Sequence, residues 1–440
     1  MPDRVRFNAT VRRVRTSEFW LGAFSAMALA ASACAGRGAA PSGTGAATAA
    51  AAPPDLLTLD IGPAGKRGTL HEVVLDAVLE TASGQILTPA EAIDRLAKRR
   101  VILVGESHTS LEAHEIQRRI VAGLGARGRR GVIGLEMLPH DVAVTKPLGA
   151  WGKGALSDEA FLRAIGWYRH WGYNFGYYRP LFAAAAEAGF SMAGVNVPRE
   201  VITAVREKGF AGLDQTNKQH LPFEVDVEDQ EHERFFRAHF SPEDQNHMGK
   251  MPGGFEGLFR AQCTWDAAMA HHGARAFERL GGAKAGALVI LAGSGHVAYG
   301  LGIARQGQSV FPEPAVTVIP VAVSPGEPVQ VVASYADYVW GIPPEAEDSP
   351  FPSLGASLKD QDGAVKVGFM SQEGAAGRAG VQMGDIIENV DGQKVSSKEE
   401  VLMAVAALSW GDALELGLRR PPAETQTVRV LFRRQLEGAP

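Results

Sequence analysis

A chain of 440 residues, 45% hydrophobic and 21% charged, carries enough apolar side chain for a real core. It is too long for one ordinary domain, which excludes general disorder and points to two or three folded units. Its formal net charge of −5 comes without a concentrated basic stripe, so no nucleic acid is expected as a partner.

The first element in chain order is a targeting segment. Arg4, Arg6, Arg12, Arg13 and Arg15 form a basic region, and Phe19 to Ala33 is a short apolar run, below the ~20 residues that a spanning helix needs. It ends in Ala31-Ser32-Ala33-Cys34, similar to a bacterial lipobox with Ala where Leu is usual. The expectation is a signal peptide over 1–33 and lipidation at Cys34, giving a membrane-anchored protein of the bacterial cell envelope; ordinary secretory cleavage is the alternative. Loss of 1–33 removes five Arg against Asp3 and Glu18, a net of +3, and takes the chain from −5 to −8. With Cys34 acylated, Cys263 is the remaining thiol, so an intrachain disulfide and a Cys-based metal site are excluded. Residues 34–54, mostly Ala, Gly, Ser, Thr and Pro, read as a flexible tether spanning ~25 Å root-mean-square.

Over 55–340 the pattern predicts an α/β domain. Apolar strand-like runs occur at 101–105 (VILVG), 131–137 (GVIGLEM), 191–197 (SMAGVNV), 287–293 (ALVILAG) and 315–323 (AVTVIPVAV), with helix-like segments such as 111–124 and 179–189 between them. Continuous apolar runs separated by helices predict a mainly parallel sheet covered by helices on both faces. Thr109-Ser110-Leu111-Glu112 fits a capping box at a helix start. A Pro-rich linker follows at 341–352 (GIPPEAEDSPFP), then a small β-rich module over 353–436 with hairpin punctuation at Asp391-Gly392.

The carboxyl ends of the strands carry the unusual polar residues, where ligands bind in open α/β sheets. Glu106 and His108 follow the first run, Glu136 the second, Asn196 the third, and Ser294 and His296 the fourth. One such histidine is more often a hydrogen-bonded loop residue, but Gly-x-x-His recurs at 105–108 and 293–296, each glycine expected to let the backbone turn sharply ahead of its histidine. Two imidazoles and two carboxylates suit a Zn, Mn or Co ion that activates water, with a spare carboxylate as general base. His114 matches no standard ligand spacing. The second outlier is 167–178 (WYRHWGYNFGYY), where seven of twelve residues are aromatic. It is either a structural cluster or a flat platform for haem, with Tyr168, Tyr173, Tyr177 and Tyr178 as candidate iron ligands and Arg169 or Arg179 as propionate partners. Residues 228–254, with His232, His239 and His247, read as an exposed helix and mobile loop, and His271-His272 as surface. No Walker loop and no Gly-x-Ser-x-Gly elbow occur in the sequence.

The ordered motifs VGESHTSLEAHEIQ, GLEML, AGVNVPREVI, TWDAAMA and LAGSGHVAYGLGIA resemble the ChaN family of haem-binding lipoproteins in the Tiki and erythromycin-esterase superfamily. The resemblance implies an α/β fold and two rival activities. One is haem or iron handling through a tyrosine. The other is a Tiki-type metal-dependent hydrolase or protease, which carries Glu106, His108, Glu136 and His296 over as catalytic and metal-binding candidates. The stretch AGVQMGDIIENVDGQKV resembles a bacterial periplasmic PDZ domain. That resemblance implies capture of the C-terminal peptide of another envelope protein at Leu354 and Gly355, with Val401 shaping the side-chain pocket. The favoured expectation is therefore an envelope lipoprotein with a ChaN-like haem/iron domain and a PDZ domain. A metal-dependent hydrolase and a non-enzymatic PDZ adaptor are the alternatives.

Overall fold

A computed structural model describes residues 54–280, 286–346, 349–422 and 424–434. The expected signal peptide, Cys34 and residues 34–53 of the tether lie outside the described residues. Among the described residues no helix is long and apolar enough to cross a membrane.

The strands of the larger domain are β1 (Leu70–Val73), β2 (Val78–Glu80), β3 (Gln85–Leu87), β4 (Val101–Glu106), β5 (Gly131–Pro139), β6 (Ser191–Asn196), β7 (Ala287–Gly293), β8 (Val316–Ala322), β9 (Val329–Val332) and β10 (Tyr338–Ile342). β1 and β9 form a separate antiparallel pair. The main sheet has the order β3-β2-β10-β8-β4-β7-β5-β6, parallel from β10 to β6 and antiparallel at β2 and β3. All six residues of β4 are buried, because each face has its own core. Ile102 and Val104 point to the side of the helices Leu111–Ala126 and Arg179–Ala188 and the aromatic stretch. Val101 and Leu103 point to the side of the long helix Gly254–Arg279. That is the period-two alternation of a strand, masked in the sequence because both sides are apolar.

The helix after β4 starts one residue later than the capping-box pattern predicts. Ser110 is the N-cap, accepting from the Ala113 N–H at 3.0 Å, so the reciprocal glutamate bond of a box is not made there. The 228–254 segment departs further from expectation. It folds into the helices Gln230–Ala238 and Pro242–Met248, and His232 is buried against Cys263 and Asp266. His272 is likewise buried, its ring stacked on His140 at 3.9 Å. The amphipathic character of both helices, not surface exposure, places these imidazoles.

The second domain has β11 (Ala356–Gln361), β12 (Ala364–Met370), β13 (Ile386–Val390), β14 (Gln393–Lys394), β15 (Ala413–Arg420) and β16 (Glu424–Leu431). They form one antiparallel sheet of order β11-β12-β13-β15-β16, with β14 paired to β13, around a core of its own. Asp391-Gly392 is the two-residue loop between β13 and β14, both residues at positive φ (48° and 76°), as a tight primed turn requires. This domain rests on the aromatic stretch. Phe351 meets Tyr177 edge to face at 4.8 Å, Trp410 Nε1 donates to the Ser349 carbonyl at 3.0 Å, and Arg169 pairs with Glu399 at 3.1 Å. Leu402, Met403 and Ala406 of the helix Lys398–Ala406 pack against the core of the larger domain.

Ile290, fully buried on central strand β7, tests where stability resides. Ile290→Ala is expected to cost about 2–5 kcal/mol through lost transfer energy and a residual cavity. Urea unfolding followed by tryptophan fluorescence checks this, and an unchanged midpoint would contradict the packing described.

Candidate functional site

Strand order brings the polar strand ends together. β7 lies between β4 and β5, and Glu106 on β4 is in register with Gly293 on β7. The two Gly-x-x-His motifs thus occupy adjacent strands. Their glycines do not turn the chain; neither has a positive φ. They make room for each other's polar residues. A Cβ on Gly105 would lie 2.8 Å from Ser294 Oγ, and one on Gly293 would lie 3.2 Å from His108 Cε1 and 3.8 Å from Glu136 Oε2. Close approach is the reason for glycine at both places.

Glu106, His108, Glu136 and His296 are all buried and gathered around Gly293. Glu106 Oε1 lies 2.7 Å from His108 Nδ1 and accepts from the Tyr178 hydroxyl at 2.9 Å. Its Oε2 accepts from Gln117 Nε2 at 2.8 Å, and His114 Nε2 stands 3.1 Å away without hydrogen-bond alignment. Burial pushes this carboxyl up, but His114 and His108 outweigh it and hold Glu106 well below the carboxylate range. Glu136 Oε2 accepts from the Gly293 N–H at 2.7 Å, and its Oε1 lies 3.5 Å from His296 Nε2. Burial again opposes ionisation, and His296 lowers the carboxyl below its usual value. His296 Nδ1 lies 2.6 Å from Asp266 Oδ1 and 2.9 Å from the Gln262 amide. Burial pulls His296 down, yet Asp266 and Glu136 raise it to about 10. His108 is raised too: the Glu106 hydrogen bond and the Glu136 charge overcome its burial. His232, 3.5 Å from the other Asp266 oxygen, is instead lowered to about 4 by burial. The result is a network in which the Glu106, Glu136 and Asp266 carboxylates favour the charged form of His108 and His296.

That arrangement does not support the metal-ligand expectation. Among the described residues no group of three or more His, Cys, Asp or Glu side chains is arranged to hold an ion. Both Glu106 oxygens and His296 Nδ1 are spent on neighbouring side chains rather than aimed at a common point. Asn196 is structural: its amide donates to the Glu136 carbonyl at 3.1 Å and its oxygen accepts from the Val197 N–H, shaping the register shift between β5 and β6.

Gln117, Gln262 and Asp266 were not singled out from sequence, and His114 was noted only for its unusual spacing. Gln117 and His114, three apart on one helix, both reach Glu106; Gln262 and Asp266, four apart on another, both reach His296. Polar pairs at helical spacing on otherwise apolar faces were the available signal, and Asp266 sits inside the TWDAAMA motif.

The four tyrosines separate by role. Tyr178 is fully buried on Glu106. Tyr168 is buried, its hydroxyl accepting from the Phe175 N–H at 3.1 Å, and burial pushes it up to about 12. Tyr177 is buried with its hydroxyl 3.0 Å from Ser349 Oγ. Tyr173 is half-buried; its ring touches Trp171 (5.4 Å) and His108 (5.3 Å). Neither expected arginine faces this ring: Arg169 pairs with Glu399, and Arg179 with Asp158.

Trp171, Tyr173 and Tyr177 form one wall of a cleft of about 560 Å³ between the two domains. Leu354, Gly355, Phe369, Lys398 and Leu402 are on the opposite wall, and Arg199 also lines it. Val401 does not face the cleft. It is fully buried in the core of the second domain, because it lies on the inward face of its helix while Lys398 and Leu402 face the groove.

Comparison with known proteins matches two regions. Residues 92–306 match the family described as haem-binding uptake, Tiki superfamily, ChaN, and residues 352–431 match the PDZ domain. No curated protein matches the chain. Among solved structures, ChaN of Campylobacter jejuni, determined for cofacial heme binding, is 20% identical; the match covers 60% of this chain and 95% of that one, with a TM-score of 0.44. The serine endoprotease from Yersinia pestis is 27% identical over 18% of this chain and 28% of that one, with a TM-score of 0.17. The HtrA-type protease AlgW with decapeptide is 18% identical over 20% and 30%, with a TM-score of 0.18. The chain thus spans less than a third of either protease.

The raised His296 fixes a pH dependence. A group with a folded pKa of about 10 against an ordinary 6.5 contributes stability that is complete below 6.5 and is lost as pH rises through 10. The lowered Glu106 and Glu136 work oppositely: their contribution is present above 4.5 and lost as pH falls through their depressed folded values. The melting temperature should therefore fall between pH 7 and 10, less steeply in His296→Gln. Equal slopes in both proteins would show that His296 is not held charged.

Proposed function

Because residues 92–306 belong to the ChaN haem-binding family of the Tiki superfamily and residues 352–431 form a PDZ domain, we propose that this protein handles haem in the bacterial cell envelope. The haem site we assign is the interdomain cleft. The observation that carries the assignment is Tyr173: half-buried, on the cleft wall, beside the ring of Trp171. The residues present fit haem. Flat aromatic and apolar walls suit a porphyrin face, a tyrosine oxygen is an established type of iron ligand, and Arg199 and Lys398 are cations suited to propionates. Bound haem supplies the iron and its redox chemistry. The chain's own residues bind and orient it: Tyr173 as ligand, Trp171 and Tyr177 as walls, Arg199 and Lys398 as carboxylate partners.

The buried carboxylate–imidazole network has a supporting role in this reading. It fixes Tyr178 and His108, and His108 meets the edge of Trp171 at 4.9 Å, so it holds the back of the cleft wall rigid. The metal-dependent hydrolase alternative has less support, since its candidate ligands are engaged with one another. The basic, apolar and lipobox-like segments ending at Cys34 support a lipid-anchored envelope location, and the PDZ domain supports capture of a C-terminal peptide there.

The test is haem titration of the chain from residue 55 onward. A saturable Soret band is expected. Tyr173→Phe should shift that band and weaken binding by about tenfold or more, the cost of losing one strong ligand contact. Absence of a saturable band would overturn the haem reading and leave the PDZ adaptor in its place. A band unaffected by Tyr173→Phe would overturn the ligand assignment.

A further inference from the structure

The PDZ groove of this chain is not built by the PDZ domain alone. β11 is an edge strand, paired on one side to β12. Its other side looks across to the helix Lys398–Ala406. The Lys398 N–H donates to Asp360 Oδ1 at 2.6 Å, so the helix begins at the far end of β11 from Leu354 and Gly355. Gly355, at φ 68°, turns the loop that precedes the strand. A peptide that adds to β11 with its carboxylate at this loop runs along the strand toward Lys398. The third side of that path belongs to the other domain: Trp171, Tyr173, Tyr177 and Arg199 line the same cleft.

Charge decides what such a peptide carries. Arg199 begins the helix after β6, at the strand-end face of the sheet, and Lys398 begins the PDZ helix. The two cations share the cleft lining. Neither side chain makes an ion pair within the described residues, although the surrounding acids are engaged. Glu399 pairs with Arg169 at 3.1 Å, and Asp360 accepts from the Lys398 backbone. Glu200, beside Arg199 in sequence, is exposed and does not line the cleft. Glu200, Asp360 and Glu399 are near enough to act on these cations through space without pairing with them directly, so an anionic ligand placed between the two like charges would be their direct partner.

We infer that the two domains together form one peptide site selective for acidic C-terminal tails: the terminal carboxylate is held at Leu354–Gly355, and an acidic side chain upstream is held between Arg199 and Lys398. Lys398 stands opposite Asp360, five residues along from Gly355, so the acidic residue lies within about five positions of the terminus. The inference rests on the PDZ reading above and adds the partner's chemistry and the contribution of the α/β domain. It also implies that peptide and haem exclude one another, since both are assigned the same aromatic wall and the same two cations.

The experiment uses the whole chain from residue 55, free of haem, and fluorescence anisotropy of two labelled octapeptides. Both end in Val-Val with a free carboxylate; one has Glu and the other Gln at the three preceding positions. The Glu peptide should bind about tenfold tighter, the worth of one good charge-assisted contact, and amidation of its terminus should abolish binding. In Arg199→Gln the Glu-to-Gln preference should fall toward one, and Arg199→Lys should restore part of it; thermal unfolding establishes that each variant is folded. An unchanged preference in folded Arg199→Gln would overturn the shared site while leaving PDZ capture intact. Failure of both free-carboxylate peptides to bind would overturn PDZ capture itself. Neither result depends on whether haem binds.

Discussion

The carboxylate of Glu106 is the constraint around which this molecule is arranged. A charge at the end of a fully buried strand costs several kcal/mol unless it is paired and hydrogen-bonded. Every element near it contributes toward that requirement. The following turn supplies His108, the next helix supplies Gln117 and His114, and the aromatic stretch supplies the Tyr178 hydroxyl. Three separate pieces of backbone are thereby tied to one side chain. Glu136, two strands over on β5, and His296, just after the intervening β7, repeat the arrangement, with Asp266 completing it from the long helix. Removing one member of such a network leaves a buried charge without its partner, which is costly, and so ties these polar residues together in a sheet core that is otherwise apolar.

How much of this the sequence revealed depended on the range of each interaction. Continuous apolar runs gave the parallel sheet, because strands covered on both faces leave no polar alternation to misread. Asp391-Gly392 gave its hairpin, since two positive φ values make a local demand that few residue pairs meet. Glu106, His108, Glu136 and His296 were visible as polar residues at strand ends, and strand order brings them around Gly293. What they do there was not visible. A spacing of residues cannot tell a metal-facing imidazole from one that faces a carboxylate, because that depends on where strand β7 inserts. The glycines illustrate the same limit: Gly105 and Gly293 look like turn residues in isolation, and only the neighbouring strand shows that each yields space to the other's side chains.

The longer-range errors have the same origin. The 228–254 stretch looked exposed because of its charge, yet its apolar residues sit on one helical face and carry His232 inward to Asp266. Val401 looked like a groove residue because of its place in the PDZ helix, yet the helix turns it into the core and presents Lys398 and Leu402 instead. In both cases composition gave the solvent-facing side and the helical period decided which individual residues went with it. The aromatic stretch was ambiguous for a different reason. It is both things at once, with Tyr178 held on the buried carboxylate while Tyr168, Tyr173 and Tyr177 line the cleft.

That division of labour links the two domains. The aromatic stretch faces inward to the buried carboxylate through Tyr178 and outward to the PDZ domain through Tyr177 and Phe351. It is therefore a shared wall: its inner side is fixed by the charge network, and its outer side forms part of the cleft. A rigid wall of this kind orients whatever lies against it at little entropic cost, which is the physical advantage of preorganisation. It also means that neither domain presents its cleft surface alone. Shifting the PDZ domain would uncover Trp171 and Tyr173, and loosening the network would move the surface against which the PDZ domain packs. The carboxylate at the end of one strand thus sets the geometry of a surface that belongs to both domains.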